Sequence, residues 1–126
     1  MRTSVLLACL LCTLLTSCIV VAAGAVAAAA YGAVSYNENE ASMTVKDDLA
    51  TATAAAKKAM RDLNFPVDET QQPSVTECTL KGGEATVVLE RHPGEVTKIC
   101  VRIGTFDTKD NQRRAGLLVE KIRANL

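Results

Sequence analysis

Hydrophobic and polar positions follow two different patterns along the chain, and the change comes at residue 38. From Thr3 to Asn37 there is no charged residue, and apolar or small side chains fill almost every position. Beyond that point, apolar residues return at a spacing of two or at spacings of three and four. The first spacing is typical of a half-buried strand and the second of an amphipathic helix. We therefore divide the chain into an apolar leader and a charge-rich domain.

The domain begins with a strand and a helix. Residues 41, 43 and 45 (Ala, Met, Val) are apolar and alternate with polar ones, which predicts a short strand. The helix that follows has one apolar stripe, formed by Leu49, Ala52, Ala56, Met60 and Leu63. Thr44 and Asp47 have the spacing of a capping box, and Asp48 adds a favourable negative charge near the helix start. Asn64 suits a left-handed C-cap, and Pro66 prevents the helix from continuing.

A brief strand over 67–70 is predicted next, followed by an antiparallel meander of three strands. A turn at Gly82-Gly83 would pair Leu80 with Ala85, Cys78 with Val87 and Thr76 with Leu89. A three-residue loop over 93–95 would pair Leu89 with Ile99, Val87 with Val101 and Ala85 with Ile103. Both registers place the same residues on one apolar face, and the second sets Glu90 opposite Lys98, a charge pair that supports it.

A second amphipathic helix ends the chain. Asp107 or Thr108 can cap it, and Asp110 lies in its first turn. Its buried stripe is predicted to be Ala115, Leu118, Val119 and Ile122. Apart from the brief strand over 67–70, the element order is β-α-β-β-β-α, which predicts an α+β fold over residues 36–126. We expect a two-layer sandwich, with a mainly antiparallel sheet and both helices on one of its faces.

The leader has the layout of an export signal. A positive charge at Arg2 precedes an apolar run over Val5–Leu15, which is too short to span a bilayer by itself. The run ends in Leu15-Thr16-Ser17-Cys18, which resembles the bacterial lipobox. Cleavage between Ser17 and Cys18 would remove residues 1–17, and the Cys18 thiol would carry a diacylglycerol group as a thioether. Alternatively, Cys18 is an incidental small residue in an uncleaved signal anchor.

Residues 18–35 connect this cysteine to the domain and consist almost entirely of Ala, Gly and Val. One interpretation is a flexible or loosely helical tether. Another starts from the small residues Gly24, Ala28 and Gly32, whose spacing of four lets helices approach closely, so the tether would self-associate.

Several segments resemble a family of short bacterial lipoproteins of uncharacterised function. They are the lipobox, the Ala/Gly tether, the helix exit Leu63-Asn64-Phe65 and the run Arg102-Ile103-Gly104-Thr105-Phe106 before the last helix. The resemblance implies a lipoprotein of the envelope. It carries no catalytic residues to this chain.

Charge and the remaining polar residues narrow the function classes. Lys plus Arg and Asp plus Glu number 14 each, so the basic footprint of a nucleic-acid binder is missing. Cys78 and Cys100 fall on opposite sheet faces about 10 Å apart, which is too far for a disulfide. The lone His92 is expected in a hairpin loop. We expect Glu38 and Glu40 on one exposed strand face, and Arg113-Arg114 on the solvated side of the last helix.

The sequence thus predicts a non-enzymatic lipoprotein of the bacterial envelope, with no cofactor and no metal. Ile19 after the cysteine favours the outer membrane, with the domain facing the periplasm. The predicted partners are the membrane, through the lipid, and either an envelope protein or further copies of the chain. The alternative function is binding of a lipid or small ligand.

Overall fold

Five strands and two helices are found in the part of the chain that the structure describes. The structure, a computed structural model, describes residues 31–68 and 74–126. The elements are β1 Ser35–Asn37, β2 Glu40–Val45, α1 Leu49–Asp62, β3 Glu77–Gly82, β4 Ala85–His92, β5 Val96–Ile103 and α2 Lys109–Ala124. The predicted signal peptide, Cys18 and the tether as far as residue 30 lie outside the described residues.

The strands form one antiparallel sheet in the order β1-β2-β5-β4-β3. The predicted α+β class and antiparallel meander are therefore confirmed, with β1 as an addition at the edge. β1 has three residues, all of them exposed, so it carries no apolar alternation from which it could have been predicted. Just before it, Tyr31 bridges Thr44, and the Gly32 N–H donates to the Thr44 carbonyl oxygen over 2.8 Å.

The core lies between one face of the sheet and the two helices, an arrangement that fits the expected two layers. Alternate residues of β2 to β5 point into it, and the buried positions of α1 and α2 complete it. The core is aliphatic, and its largest fully buried apolar side chains are Met60, Leu80, Leu89, Ile99, Ile103, Leu118 and Ile122. Both predicted helical stripes are buried apart from Leu63, which is half-buried, and α1 also buries Thr53, Ala55 and Ala59.

The predicted register between β3 and β4 is wrong by two residues. The structure pairs Leu80 with Val87 and Gly82 with Ala85, so the turn lies at Gly83-Glu84 rather than at Gly82-Gly83. A shift of two leaves every side chain on its predicted face, because the strand period is two. Position 82 lies in the strand and requires glycine for packing, because a Cβ there would lie 1.8 Å from the Pro66 carbonyl oxygen.

The register between β4 and β5 is confirmed. Val87 lies opposite Val101 and Glu90 opposite Lys98, and His92 with Val96 closes a loop over 93–95. Gly94 and Glu95 in that loop both have positive φ, at 84° and 55°. A short loop with consecutive left-handed residues turns the chain tightly enough to hold this register.

The start of α1 differs from the predicted capping box. Thr44 belongs to β2, and Asp48 is itself the N-cap, with a side-chain oxygen that accepts the Thr51 N–H over 2.7 Å. The exit is as predicted, because Asn64 has φ 59°. Its N–H donates to Arg61 and that of Phe65 donates to Met60, the two bonds of a Schellman motif.

The first two residues of the predicted strand over 67–70 do not form one. Val67 and Asp68 have no strand pairing, and residues 69 and 70 lie outside the described part. The Asp68 N–H nevertheless donates to the Lys81 carbonyl oxygen over 3.2 Å, and the Ser74 N–H donates to that of Glu77 over 2.8 Å. Two carbonyl oxygens on the outer edge of β3 are thereby satisfied, which protects this edge of the sheet.

The last helix follows the prediction closely. Thr108 is its N-cap and accepts the Asn111 N–H over 3.2 Å, while Asp110 lies in the first turn. Lys121 and Arg123 lie in the last turn, where positive charge favours a helix C-terminus.

Candidate functional site

Cys18, the predicted lipid site, lies outside the described residues, so the structure adds nothing on its chemistry. Within residues 31–68 and 74–126, no group of three His, Cys, Asp or Glu side chains could hold a metal ion. No helix in the same part of the chain is long and apolar enough to cross a membrane.

Cys78 and Cys100 are both free and buried. Cys78 belongs to the core, while Cys100 lies on the opposite face of the sheet, between Ser42 on β2 and Val88 on β4. Burial, followed by the negative charge of Glu40, raises the pKa of the Cys100 thiol to about 11. A thiol that stays protonated at neutral pH is a poor nucleophile.

The polar residues singled out from the sequence do not come together. His92 ends β4 instead of lying in the loop, and its side chain is half exposed, with Nε2 3.8 Å from an oxygen of Glu90. The expectation that Glu38 and Glu40 share a strand face is wrong. Glu38 lies in the turn between β1 and β2 with φ 51°, whereas Glu40 is on β2 and faces Arg102 over 3.7 Å.

Arg113 and Arg114 also differ from each other. Arg113 is solvated, as predicted, and pairs with Asp110 over 2.8 Å. Arg114 points towards the β3–β4 turn and donates a hydrogen bond to Glu84 over 2.9 Å. Its guanidinium group also lies over the ring of Phe65. The prediction of a purely solvated Arg114 is therefore wrong, because α2 passes close to the exit of α1.

A shallow apolar groove opens beside this arginine. It has a volume of about 340 Å³ and lies between the exit of α1, the Gly83-Glu84 turn and α2. Its apolar lining consists of Leu63, Phe65, Pro66 and Leu117. Leu117 is 55% exposed, although it lies in the middle of α2. We call this feature the exit groove.

A larger groove runs along the exposed side of α1, and we call it the α1 groove. Its volume of about 570 Å³ is within the range of small-molecule sites. The wall on α1 is formed mainly by small and apolar residues, and the opposite wall comes from residues 74–75 and the β4–β5 hairpin. The lining residues are Asp48, Leu49, Ala50, Thr53, Ala54, Lys57, Ser74, Val75, Arg91 and Glu95.

The charged side chains around the α1 groove differ in whether they form hydrogen bonds within the protein. Asp48 is held by Thr51, whose side-chain and backbone hydrogen bonds lower the pKa of the carboxyl group. Arg91 and Glu95, both exposed, form no ion pair or side-chain hydrogen bond within the described part of the chain. The positive charge of Arg91 also lowers the pKa of Asp48. Arg91 and Glu95 are a cation and an anion of the groove that can meet a ligand.

Two further features belong to this groove. Val75 is 79% exposed, so one wall offers an apolar side chain to solvent. Thr53 is only 8% exposed, and its hydroxyl group has no hydrogen-bond partner among the described residues. An unsatisfied buried hydroxyl is costly, and a polar group from a ligand that reached it would remove the cost.

Sequence reasoning missed both grooves. The one available signal was Arg91, which continues the core-facing alternation of Val87 and Leu89 on β4. A charged residue in that position has to lie beyond the end of the core, next to the start of α1.

A family model described as "Protein of unknown function (DUF3568)" matches residues 2–125. None of the curated proteins matches the chain.

Proposed function

The chain belongs to this family of proteins of unknown function, and on that premise we propose that it is a lipid-anchored lipoprotein of the bacterial envelope. Its domain acts without catalysis, in contact with an envelope protein or as part of an envelope structure. The anchor is Cys18, and the domain faces the periplasm from the outer membrane.

The observation that carries this proposal is the motif Leu15-Thr16-Ser17-Cys18. It follows directly on the apolar run of the charge-free leader. An aliphatic residue and two small ones before a cysteine suit a peptidase that cleaves next to a lipidated thiol. Two or three acyl chains give stable membrane attachment, whereas a single chain gives only marginal binding.

The surface of the domain supports a role in protein contact. Leu117 exposes more than half of its surface next to the partly buried Phe65 and Leu63. Apolar side chains grouped beside charged ones, here Arg114 and Glu84, are a common feature of protein-interaction surfaces.

Metabolic labelling with a radioactive fatty acid tests the anchor. We expect label on the wild-type chain and none on Cys18→Ala, because the mutant lacks the thiol that accepts the diacylglycerol group. Cys12→Ala is the matched control, since it also removes an apolar cysteine from the leader and should keep the label. Equal labelling of wild type and Cys18→Ala would refute the proposal.

A second function is favoured by the α1 groove, namely binding of a small ligand. A concave site of about 570 Å³, with apolar walls and a few charged groups, is the kind that holds small molecules. Such a lipoprotein would present its ligand close to the membrane surface.

A further inference from the structure

We propose that the α1 groove binds a short zwitterionic peptide with small apolar side chains, such as an alanine peptide with both ends free. The proposal rests on the second function above and identifies the class of its ligand. It depends neither on lipidation nor on location, because every residue used belongs to the described domain.

Two charged side chains of the groove indicate a ligand with two opposite charges. Arg91 and Glu95 lie on the same wall, Arg91 near the end of β4 and Glu95 in the loop that follows. Neither forms an ion pair within 4.0 Å of another described residue. Arg91 acts on the Asp48 carboxyl group through its charge, but that carboxyl group is already hydrogen-bonded as the cap of α1. A ligand with one carboxylate and one ammonium group can satisfy both charges, while a simple anion or cation leaves one unmatched.

The apolar lining limits the ligand's side chains. Ala50 and Ala54 leave room along α1, and the exposed Val75 gives aliphatic contact on the opposite wall. Methyl-sized side chains fit a wall of this kind without forcing the helix to move. Large aromatic side chains would need a deeper pocket than this open groove provides.

The length of the ligand follows from the volume. A site of about 570 Å³ accommodates a few residues and not a folded domain. Thr53 also lines the groove, and its buried hydroxyl group has no hydrogen-bond partner among the described residues.

The test is an NMR titration of the full ¹⁵N-labelled chain in detergent with three probes. Trialanine has both charges, trialanine amide lacks the carboxylate and N-acetyl-trialanine lacks the ammonium group. We expect trialanine to shift the amide signals of Ala50, Ala54 and Val75. Each modified probe should bind about tenfold more weakly, as expected for loss of one charge-assisted contact.

Variants assign the two charges. In Arg91→Gln, trialanine should bind about tenfold more weakly and no better than its amide, because the carboxylate has lost its partner. Glu95→Gln should remove the difference between trialanine and the N-acetyl probe in the same way. Lys81→Gln is the control, since Lys81 is an exposed cation on β3 outside the groove.

A steric variant gives a second, independent measurement. Ala54→Leu should fill the groove and abolish binding, whereas Ala124→Leu, at another exposed helix position, should leave binding unchanged. If trialanine and its amide bind the groove equally, the zwitterionic class is wrong and small-ligand binding stands. If no probe shifts a groove signal at millimolar concentration, this inference is overturned, whereas the second function is overturned only if other classes of small molecule also leave the groove signals unchanged.

Discussion

Replacement of Gly82 by alanine should destabilise the domain severely. Gly82 lies in β3, and the backbone of Pro66 passes directly over it. The added Cβ would lie 1.8 Å from the Pro66 carbonyl oxygen and 2.7 Å from Cε of Met60. The methionine end can rotate away, but the carbonyl oxygen belongs to the main chain. The segment 65–68 must therefore move by more than an ångström.

The size of the effect follows from what holds that segment. The Phe65 N–H bonds to Met60 over 2.8 Å and the Asp68 N–H to Lys81 over 3.2 Å. Both bonds flank Pro66, and each contributes about 1 kcal/mol net. Adding the overpacking penalty of about 1–3 kcal/mol gives a loss of roughly 3–5 kcal/mol in the free energy of unfolding. For a domain of this size, the midpoint of thermal unfolding would fall by about 12–40 °C.

Gly83 provides the matched control, because the neighbouring glycine is needed for a different reason. Its φ is 60°, and a Cβ there would meet only the Pro66 ring, at 3.6 Å. Gly83→Ala should therefore cost only the strain of a left-handed residue, about 1–2 kcal/mol, and Gly83→Asn less. Circular dichroism during thermal unfolding measures all three variants. A Gly82→Ala protein as stable as wild type, or less affected than Gly83→Ala, would refute the close approach and the register built on it.

Three further changes test other parts of the fold. Asn64→Gly should leave stability nearly unchanged and Asn64→Ala should lower it by about 1–2 kcal/mol, because φ is 59° there; equal urea midpoints for the two variants would contradict this. Thr108→Ala should lower the free energy of unfolding by about 1 kcal/mol, because α2 loses its N-cap. Thr108→Asp should stay close to wild type in the same urea assay. An alanine variant as stable as wild type would argue against the cap. Because the folded pKa of Cys100 is raised to about 11 from 9.0, the folded state holds its proton more tightly than the unfolded chain does. The contribution of the protonated Cys100 thiol to stability is complete below about pH 9 and is lost as the pH rises towards 11. Cys100→Ser should therefore show a flatter dependence of stability on pH across that window. Parallel profiles of the wild type and the variant would contradict the pKa shift.

Strong periodic patterns predicted most of this fold correctly. Both helices and the β4–β5 register follow from apolar spacings that repeat over many residues. The β3–β4 register could not be settled in the same way, since a slip of two preserves the face of every side chain. What selects the observed register is the approach of Pro66 to Gly82, which depends on the path of the chain after α1.

Single polar residues were harder to predict. Thr44, Asp47 and Asp48 all suit a helix start, and only the structure shows Asp48 in that position. The role of Arg114 depends on Glu84, which is 30 residues away in the sequence. The α1 groove has no sequence signature because its walls come from three separate segments, and Cys18 remains a prediction from its neighbours alone.

The edge position of residues 31–37 has a mechanical consequence. Residues 31–37 lie along the outer edge of β2, held by the Gly32–Thr44 hydrogen bond and the short β1 pairing. A pull on residue 31 directed away from that edge loads these bonds one after another instead of all together. The edge would then peel open at low force and release up to about 3.5 Å of chain per residue, while the core between the sheet and the helices stays intact.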